Sequence, residues 1–141
     1  MQEFYSNLVK DKLKRYIYAQ GFIIRANERI NELINNKTLA LDNNNPSNEL
    51  IGDNDPSSIG DEIDMLRTNI KENESIIEEI DCAFNNIGEA YKDITLVIYG
   101  MPYKNNKIQT LKDRYHYSKA NLYNIANDTL KHLSLSLFGN Y

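Results

Sequence analysis

The clearest pattern of apolar positions in this chain runs from residue 59 to residue 88. Apolar residues recur there at alternating spacings of four and three, the heptad repeat of a long helix that packs along one face. Ser57 or Ser58 precedes the pattern as a helix cap, and Gly88 follows it as a stop signal. We therefore predict a long heptad helix over residues 59–88. The central positions of its seam are Ile63, Leu66, Ile70, Asn73, Ile77, Ile80 and Phe84.

A seam of this length predicts that the long helix has a partner. The partner is a second copy of the chain, which would place these seven seam residues at a homodimer interface, the N-terminal helix folded back along the stripe, or both. Asn73 is the polar residue of the seam. In a homodimeric coiled coil such an Asn can fix the register, whereas at the edge of the seam it would only be solvated. We expect the homodimer and keep the fold-back as its alternative.

The segments before the long helix differ in pattern. Residues 1–37 contain apolar residues at helical spacing, which predicts a helix over residues 3–36 with a kink or break at Gly21. Residues 38–58 contain two prolines, an Asn run and four acidic residues without a basic one. That composition predicts an acidic polar loop, which is a linker unless it carries function of its own.

The C-terminal region, residues 89–141, predicts a helix-turn-helix preceded by a short helix over residues 89–100. Two apolar-faced helices, over residues 105–116 and 118–137, are separated by a tight connection that ends at Ser118. The Ser118 hydroxyl can accept from the free N–H groups of the next turn and so cap the second helix. The expected fold class is all-α, with N-terminal helices, the long heptad helix and a C-terminal helix-turn-helix. The alternative for this region is a plain helical hairpin.

Charge supports a nucleic-acid partner for the C-terminal region. Residues 104–141 carry a net charge of +4, although the whole chain carries −4. A basic segment in an acidic protein is what phosphate neutralisation requires. The residues expected to hold phosphates are Lys104, Lys107, Arg114, Ser118 and Lys131.

Residues after Ser118 are the candidates for reading base edges in the major groove of duplex DNA. Asn can pair bidentately with adenine, and the Ala methyl can touch the methyl group of thymine. The positions expected to read bases are Lys119, Ala120, Asn121 and Asn124, with Tyr123 and Asn127 at the margin.

Composition narrows the class of protein further. No apolar run approaches the ~20 residues that span a bilayer, no signal peptide is visible, and the single Cys82 favours a reducing cytoplasm. His116 and His132 are sixteen residues apart with no Cys near them, so no zinc spacing exists. We expect no catalysis, no cofactor, no metal site and no membrane contact.

The layout resembles the ArpU/RinA-type phage transcriptional regulators. The resemblance rests on the stretch from Ser57 to Arg67, on residues 80–87, and on the C-terminal residues 130–133 and 137–139. It implies a DNA-binding activator of phage or mobile-element genes that acts upstream of a promoter, with RNA polymerase as a second partner. It also implies that the helix beginning near Ser118 enters the major groove. Residues 99–106 depart from the family pattern as an irregular lead-in.

The alternative function is a protein-interaction module. Residues 38–103 carry a net charge of −11, and the long acidic helix could bind, inhibit or adapt a host protein. The discriminating feature is the surface over residues 118–127. An exposed basic face there favours DNA, whereas a face covered by the chain's own helices favours the interaction module.

Overall fold

The computed structural model describes residues 1–42, 56–102 and 106–141, with the side chains of residues 37–42, 56 and 57 excluded. The described residues form α-helices, one π-helical turn and no strand, so the fold is all-α, as the sequence predicts. In chain order the elements are α1 (Glu3–Asp42), α2 (Pro56–Ala83), α3 (Glu89–Thr95), the π-turn (Leu96–Gly100), α4 (Lys107–Tyr115) and α5 (Lys119–Phe138).

The ends of the long helices differ from the prediction. Helix α1 continues through Gly21 without a break and extends to Asp42. Helix α2 begins at Pro56, ahead of the predicted serine caps, because proline needs no N–H partner in the first turn of a helix. It ends at Ala83, and Asn86 takes a left-handed φ of 69° before the predicted stop at Gly88. Of the predicted 38–58 loop, residues 43–55 lie outside the described residues.

The chain divides into two compact units that cut across the linear segments 1–37, 38–58, 59–88 and 89–141. Unit 1 consists of residues 1–18 and 76–141, and unit 2 consists of residues 19–75. Each unit therefore takes part of α1 and part of α2. Within the described part of the chain, no helix has the combination of length and apolarity that a membrane crossing requires.

Unit 1 has two apolar cores, and the first joins α1, the end of α2 and α5. Its α1 residues recur at spacings of four and three, so they lie on one helical face. On the same side of α1, the Tyr16 hydroxyl donates to the Asp81 carboxylate at 2.6 Å, and Lys92 Nζ approaches that carboxylate at 3.2 Å. Burial, and then this hydrogen bond, raises the pKa of Tyr16. The buried residues of this core are Val9, Leu13, Tyr16, Ile80, Ala83, Phe84, Leu130 and Leu133.

Unit 2 is a pair of helical segments with its own apolar core. Arg29 Nε lies 3.0 Å from Glu62 Oε1, and this ion pair links the two segments at the surface. Exposed pairs of this kind add little stability, so apolar burial is the main source of cohesion in the unit. The buried residues are Ala26, Ile30 and Leu33 from α1 and Ile59, Ile63 and Ile70 from α2.

The heptad stripe of α2 is covered within a single chain. Ile63 and Ile70 are 7% and 8% exposed in the core of unit 2, and Ile80 and Phe84 are 1% and 3% exposed in the first core of unit 1. The half-buried Leu66 and Ile77 pack against the same cores.

The Asn73 side chain of the seam has a partner within its own helix. Its side-chain amide donates to the backbone carbonyl of Asn69 at 2.8 Å, which is a contact within its own helix. The packing of the stripe is that of the fold-back alternative. The homodimer stays a prediction, without the uncovered stripe that was its main support.

Candidate nucleic-acid interface

The second core of unit 1 holds α3, the π-turn, α4 and the first half of α5 together. Leu111 of α4 and Leu122 of α5 are both 0% exposed at its centre. The spacing of apolar residues over 118–137 predicts an inward face at Leu122, Ile125, Ala126, Leu130, Leu133 and Leu137. The first five are buried, which confirms the face, and Leu137 is half-buried. The buried residues of this core are Ile94, Ile98, Leu111, Leu122, Ile125 and Ala126.

The connection between α4 and α5 is three residues long. Helix α4 ends because His116 takes a left-handed φ of 58°, with its N–H donating to the carbonyl of Lys112 at 2.8 Å. Ser118 then has an extended conformation, and its hydroxyl accepts from the backbone N–H of Asn121 at 3.1 Å. The predicted N-cap is confirmed, and with it the start of the second helix.

The N-terminal half of α5 presents an open polar face. Ala120, Asn121 and Asn124 are exposed along one side of α5, and Ser118 and Lys119 are exposed at its start, so the described part of the chain does not cover this face. The backbone N–H of Asn121 serves the cap, and its side chain lies on the surface.

Two further residues of α5 modify this face. Asp128 is also exposed, four residues beyond Asn124, and it places a carboxylate at the far end of the same face. Tyr123 is half-buried and packs against the second core. In the N-terminal half of α5 the exposed cation is Lys119, which lies at the start of the helix and on a different side from Asn121 and Asn124.

Two of the predicted phosphate-binding cations are engaged inside the unit. Lys107 Nζ donates to the carbonyl of Ile98 in the π-turn at 2.8 Å. The Arg114 guanidinium forms an ion pair with the Asp93 carboxylate of α3, and this hydrogen bond raises the pKa of Arg114. Both side chains tie α4 to the preceding elements, so the charge available to a ligand is smaller than the sequence count.

Three other lysines around the helix pair have no ion pair among the described residues. Lys119 is exposed at the start of α5, and Lys112 and Lys131 are half-buried. Lys131 also lines a cavity of about 340 Å³ together with Met1, Glu3, Ser6, Asn127 and Leu130. Lys104 lies outside the described residues.

Asp93 is a residue that sequence reasoning missed. Its carboxylate accepts from the Tyr115 hydroxyl at 2.5 Å as well as from Arg114, and the bond to Tyr115 raises the pKa of that phenol. The Tyr117 ring stacks on the Tyr115 ring, with centroids 6.2 Å apart and planes inclined by 15°. No sequence signal identifies this network, because spacing rules concern one helix and Asp93 lies 21 residues before Arg114.

Asn127 has an internal partner at the margin of the open face. Its side-chain oxygen accepts from the Tyr99 hydroxyl at 2.5 Å, which joins α5 to the π-turn. Burial raises the pKa of Tyr99, and Lys10 Nζ lies 4.6 Å from the centre of its ring. In the described part of the chain, no group of three His, Cys, Asp or Glu side chains is arranged to hold a metal ion.

Comparison with known proteins adds no relative. No family model matches the chain, no curated protein matches it, and no solved structure matches it. The resemblance to the ArpU/RinA-type regulators therefore stays a prediction.

Proposed function

We propose that this chain binds duplex DNA through α4 and α5 and regulates transcription, as an activator in a phage or mobile element. The observation that carries the proposal is the open polar face of a capped helix, with Ala120, Asn121 and Asn124 exposed and Lys119 at its start, held on a buried core after a three-residue turn. A helix of this kind fits the DNA major groove, where its first turns meet the base edges.

The contacts of the site support a division of roles. In this proposal the exposed Asn121 and Asn124 read base edges, with the Ala120 methyl beside them. The phosphate contacts of the proposal are Lys112, Lys119, Lys131 and the Ser118 hydroxyl. Lys107 and Arg114 position α4 through Ile98 and Asp93, and this revises the phosphate role that the charge pattern gave them.

The salt dependence of binding tests the proposal. If Lys112, Lys119 and Lys131 each neutralise one phosphate, the log–log slope of affinity against salt is about −2.7 per chain. Lys119→Gln should make that slope shallower by about 0.9, whereas the matched change Arg114→Gln should leave it unchanged. The affinity of wild type and both variants is measured by fluorescence anisotropy across a KCl series. The ligand is a duplex selected from a randomised pool. Absence of any DNA binding at low salt would contradict the function, and equal slope changes would contradict the division of roles.

Asn121→Ala should relax sequence specificity. The loss of a bidentate contact with adenine should cost about 1–3 kcal/mol on the selected duplex and far less on random duplex. The cap survives the change, since it uses the backbone N–H of Asn121. Asn7→Ala, on the exposed surface of α1, is the matched control. Competition binding measures the ratio of the affinities for the selected and the random duplex. Equal losses of affinity on both duplexes would show that Asn121 reads no base.

The same assay separates DNA binding from the interaction module. That alternative expects the surface over residues 118–127 to be covered by the chain's own helices, whereas DNA binding expects an exposed basic face. Residues 118–121, 124 and 127 are exposed, and Lys119 is the cation among them. A protein without DNA affinity at low salt would favour the acidic helix and a protein partner. RNA polymerase as a partner and a homodimer on half-sites about 34 Å apart remain parts of the proposal.

A further inference from the structure

We propose that the Tyr117 hydroxyl donates a hydrogen bond to a DNA phosphate and fixes the backbone beside the first turn of α5. The inference rests on the proposed function and adds a contact residue that neither the charge pattern nor the base-reading positions identify. Tyrosine hydroxyls are ordinary donors to phosphate oxygens in protein–DNA complexes.

The first support is the position of Tyr117. It lies in the three-residue connection, directly before the cap residue Ser118, and two residues before the exposed Lys119. Tyr117 is 38% exposed although it is a large aromatic residue. A backbone that runs past the start of a recognition helix meets this connection as well as the first helical turn.

The second support is the order already imposed on the ring. Tyr117 stacks on Tyr115, and the Tyr115 hydroxyl is held by Asp93, which also pairs with Arg114. The platform under Tyr117 is therefore fixed to α3 at its far end. A side chain that is ordered before binding loses less conformational entropy when it makes a contact.

The third support is the difference between the two residues of the stack. The Tyr115 hydroxyl has a partner inside the unit, so its role is to position. Tyr117 is the exposed residue of the stack, and its hydroxyl is a neutral donor that does not neutralise the phosphate charge. Removal of a neutral donor lowers the affinity for DNA but leaves the salt slope nearly unchanged. This separates the expected effect of losing the Tyr117 hydroxyl from that of losing the Lys119 charge.

The experiment compares Tyr117→Phe with wild type on the duplex selected by the wild-type protein. Phenylalanine keeps the stack and removes only the hydroxyl, and a hydrogen bond to a charged group corresponds to a loss of about 10-fold in affinity. The expected loss is equal on selected and random duplex, with the salt slope unchanged. Tyr91→Phe is the matched control, because Tyr91 is a 48% exposed tyrosine of α3 in the same unit. Circular dichroism melts establish that both variants fold as wild type.

A scan with methylphosphonate linkages identifies the phosphate that Tyr117 contacts. Replacing one phosphate at a time by the neutral linkage should weaken wild type and Tyr117→Phe alike, except at one position, where the two proteins become equal. If Tyr117→Phe binds as tightly as wild type, the inference is overturned while the proposed function stands. If the loss persists at every linkage, Tyr117 is structural and the inference is also overturned. If wild type binds no duplex, the proposed function itself fails.

Discussion

Ile70→Asp should unfold unit 2 within the monomer. Ile70 is 8% exposed and lies in the core that joins α1 residues 26–33 to α2 residues 59–70. The substitution removes a packed side chain and buries a carboxylate without a partner, a combination that costs on the order of 4 kcal/mol or more. Whole domains are stable by about 5–15 kcal/mol, and this unit has one small core. Circular dichroism should show a loss of helix, and amide hydrogen exchange should show that the loss of protection is localised to residues 19–36 and 58–75.

Met65→Asp is the control for that experiment. Met65 lies on the same helix five residues earlier and is 53% exposed, so the same new charge stays in water and stability should change little. A contrary outcome is a wild-type dimer that Ile70→Asp converts into a folded monomer. That outcome would place the partner of the stripe on a second chain. Analytical ultracentrifugation of wild type across a concentration series provides the reference.

The heptad stripe illustrates what periodicity can predict. The spacing of Ile63, Ile70, Ile80 and their neighbours correctly predicts a long helix with one buried face. Periodicity specifies that a face is buried and leaves open which surface buries it. The N-terminal helix has the complementary face, with Ala26, Ile30 and Leu33 in one core and Val9 and Leu13 in another. Intrachain cover explains the burial without a second copy.

Gly100 shows a feature that depends on tertiary contact. Its place near Pro102 predicts the end of a helix, and the structure adds a second reason for glycine there. A Cβ built on Gly100 would lie 3.3 Å from the carbonyl oxygen of Leu13, so α1 packs directly against the backbone of the π-turn. The π-turn itself was not predicted, because its apolar residues have spacings that an ordinary α-helix also accommodates.

The candidate interface divides in the same way into local and long-range features. The Ser118 cap and the inward face of α5 follow from local chemistry and spacing, and both were predicted. The placement of cations was not, because a net charge of +4 over residues 104–141 counts Lys107 and Arg114 with the rest. Their partners, Ile98 and Asp93, belong to elements that fold against α4. A charge count over a segment does not show which of its side chains are engaged within the fold.

Leu111→Ala should destabilise the helix pair of α4 and α5 without changing a residue of the open polar face. Leu111 is 0% exposed in the core shared by α3, α4 and α5, and truncation of a buried leucine costs about 2–5 kcal/mol. Ile108→Ala, one turn earlier on α4 at a half-buried position, removes an apolar side chain from the edge of the same core and should cost less. Urea denaturation followed by circular dichroism measures both.

The same pair of variants tests whether the helix pair is the DNA-binding element. Because Leu111 helps to fix the orientation of α4 relative to α5, its truncation should weaken binding to selected and random duplex alike. The effect should grow as the temperature approaches the midpoint of unfolding. Ile108→Ala should bind close to wild type. The Leu111→Ala protein could instead be destabilised and still bind DNA with wild-type affinity near its unfolding midpoint. That result would show that DNA binding resides elsewhere in the chain.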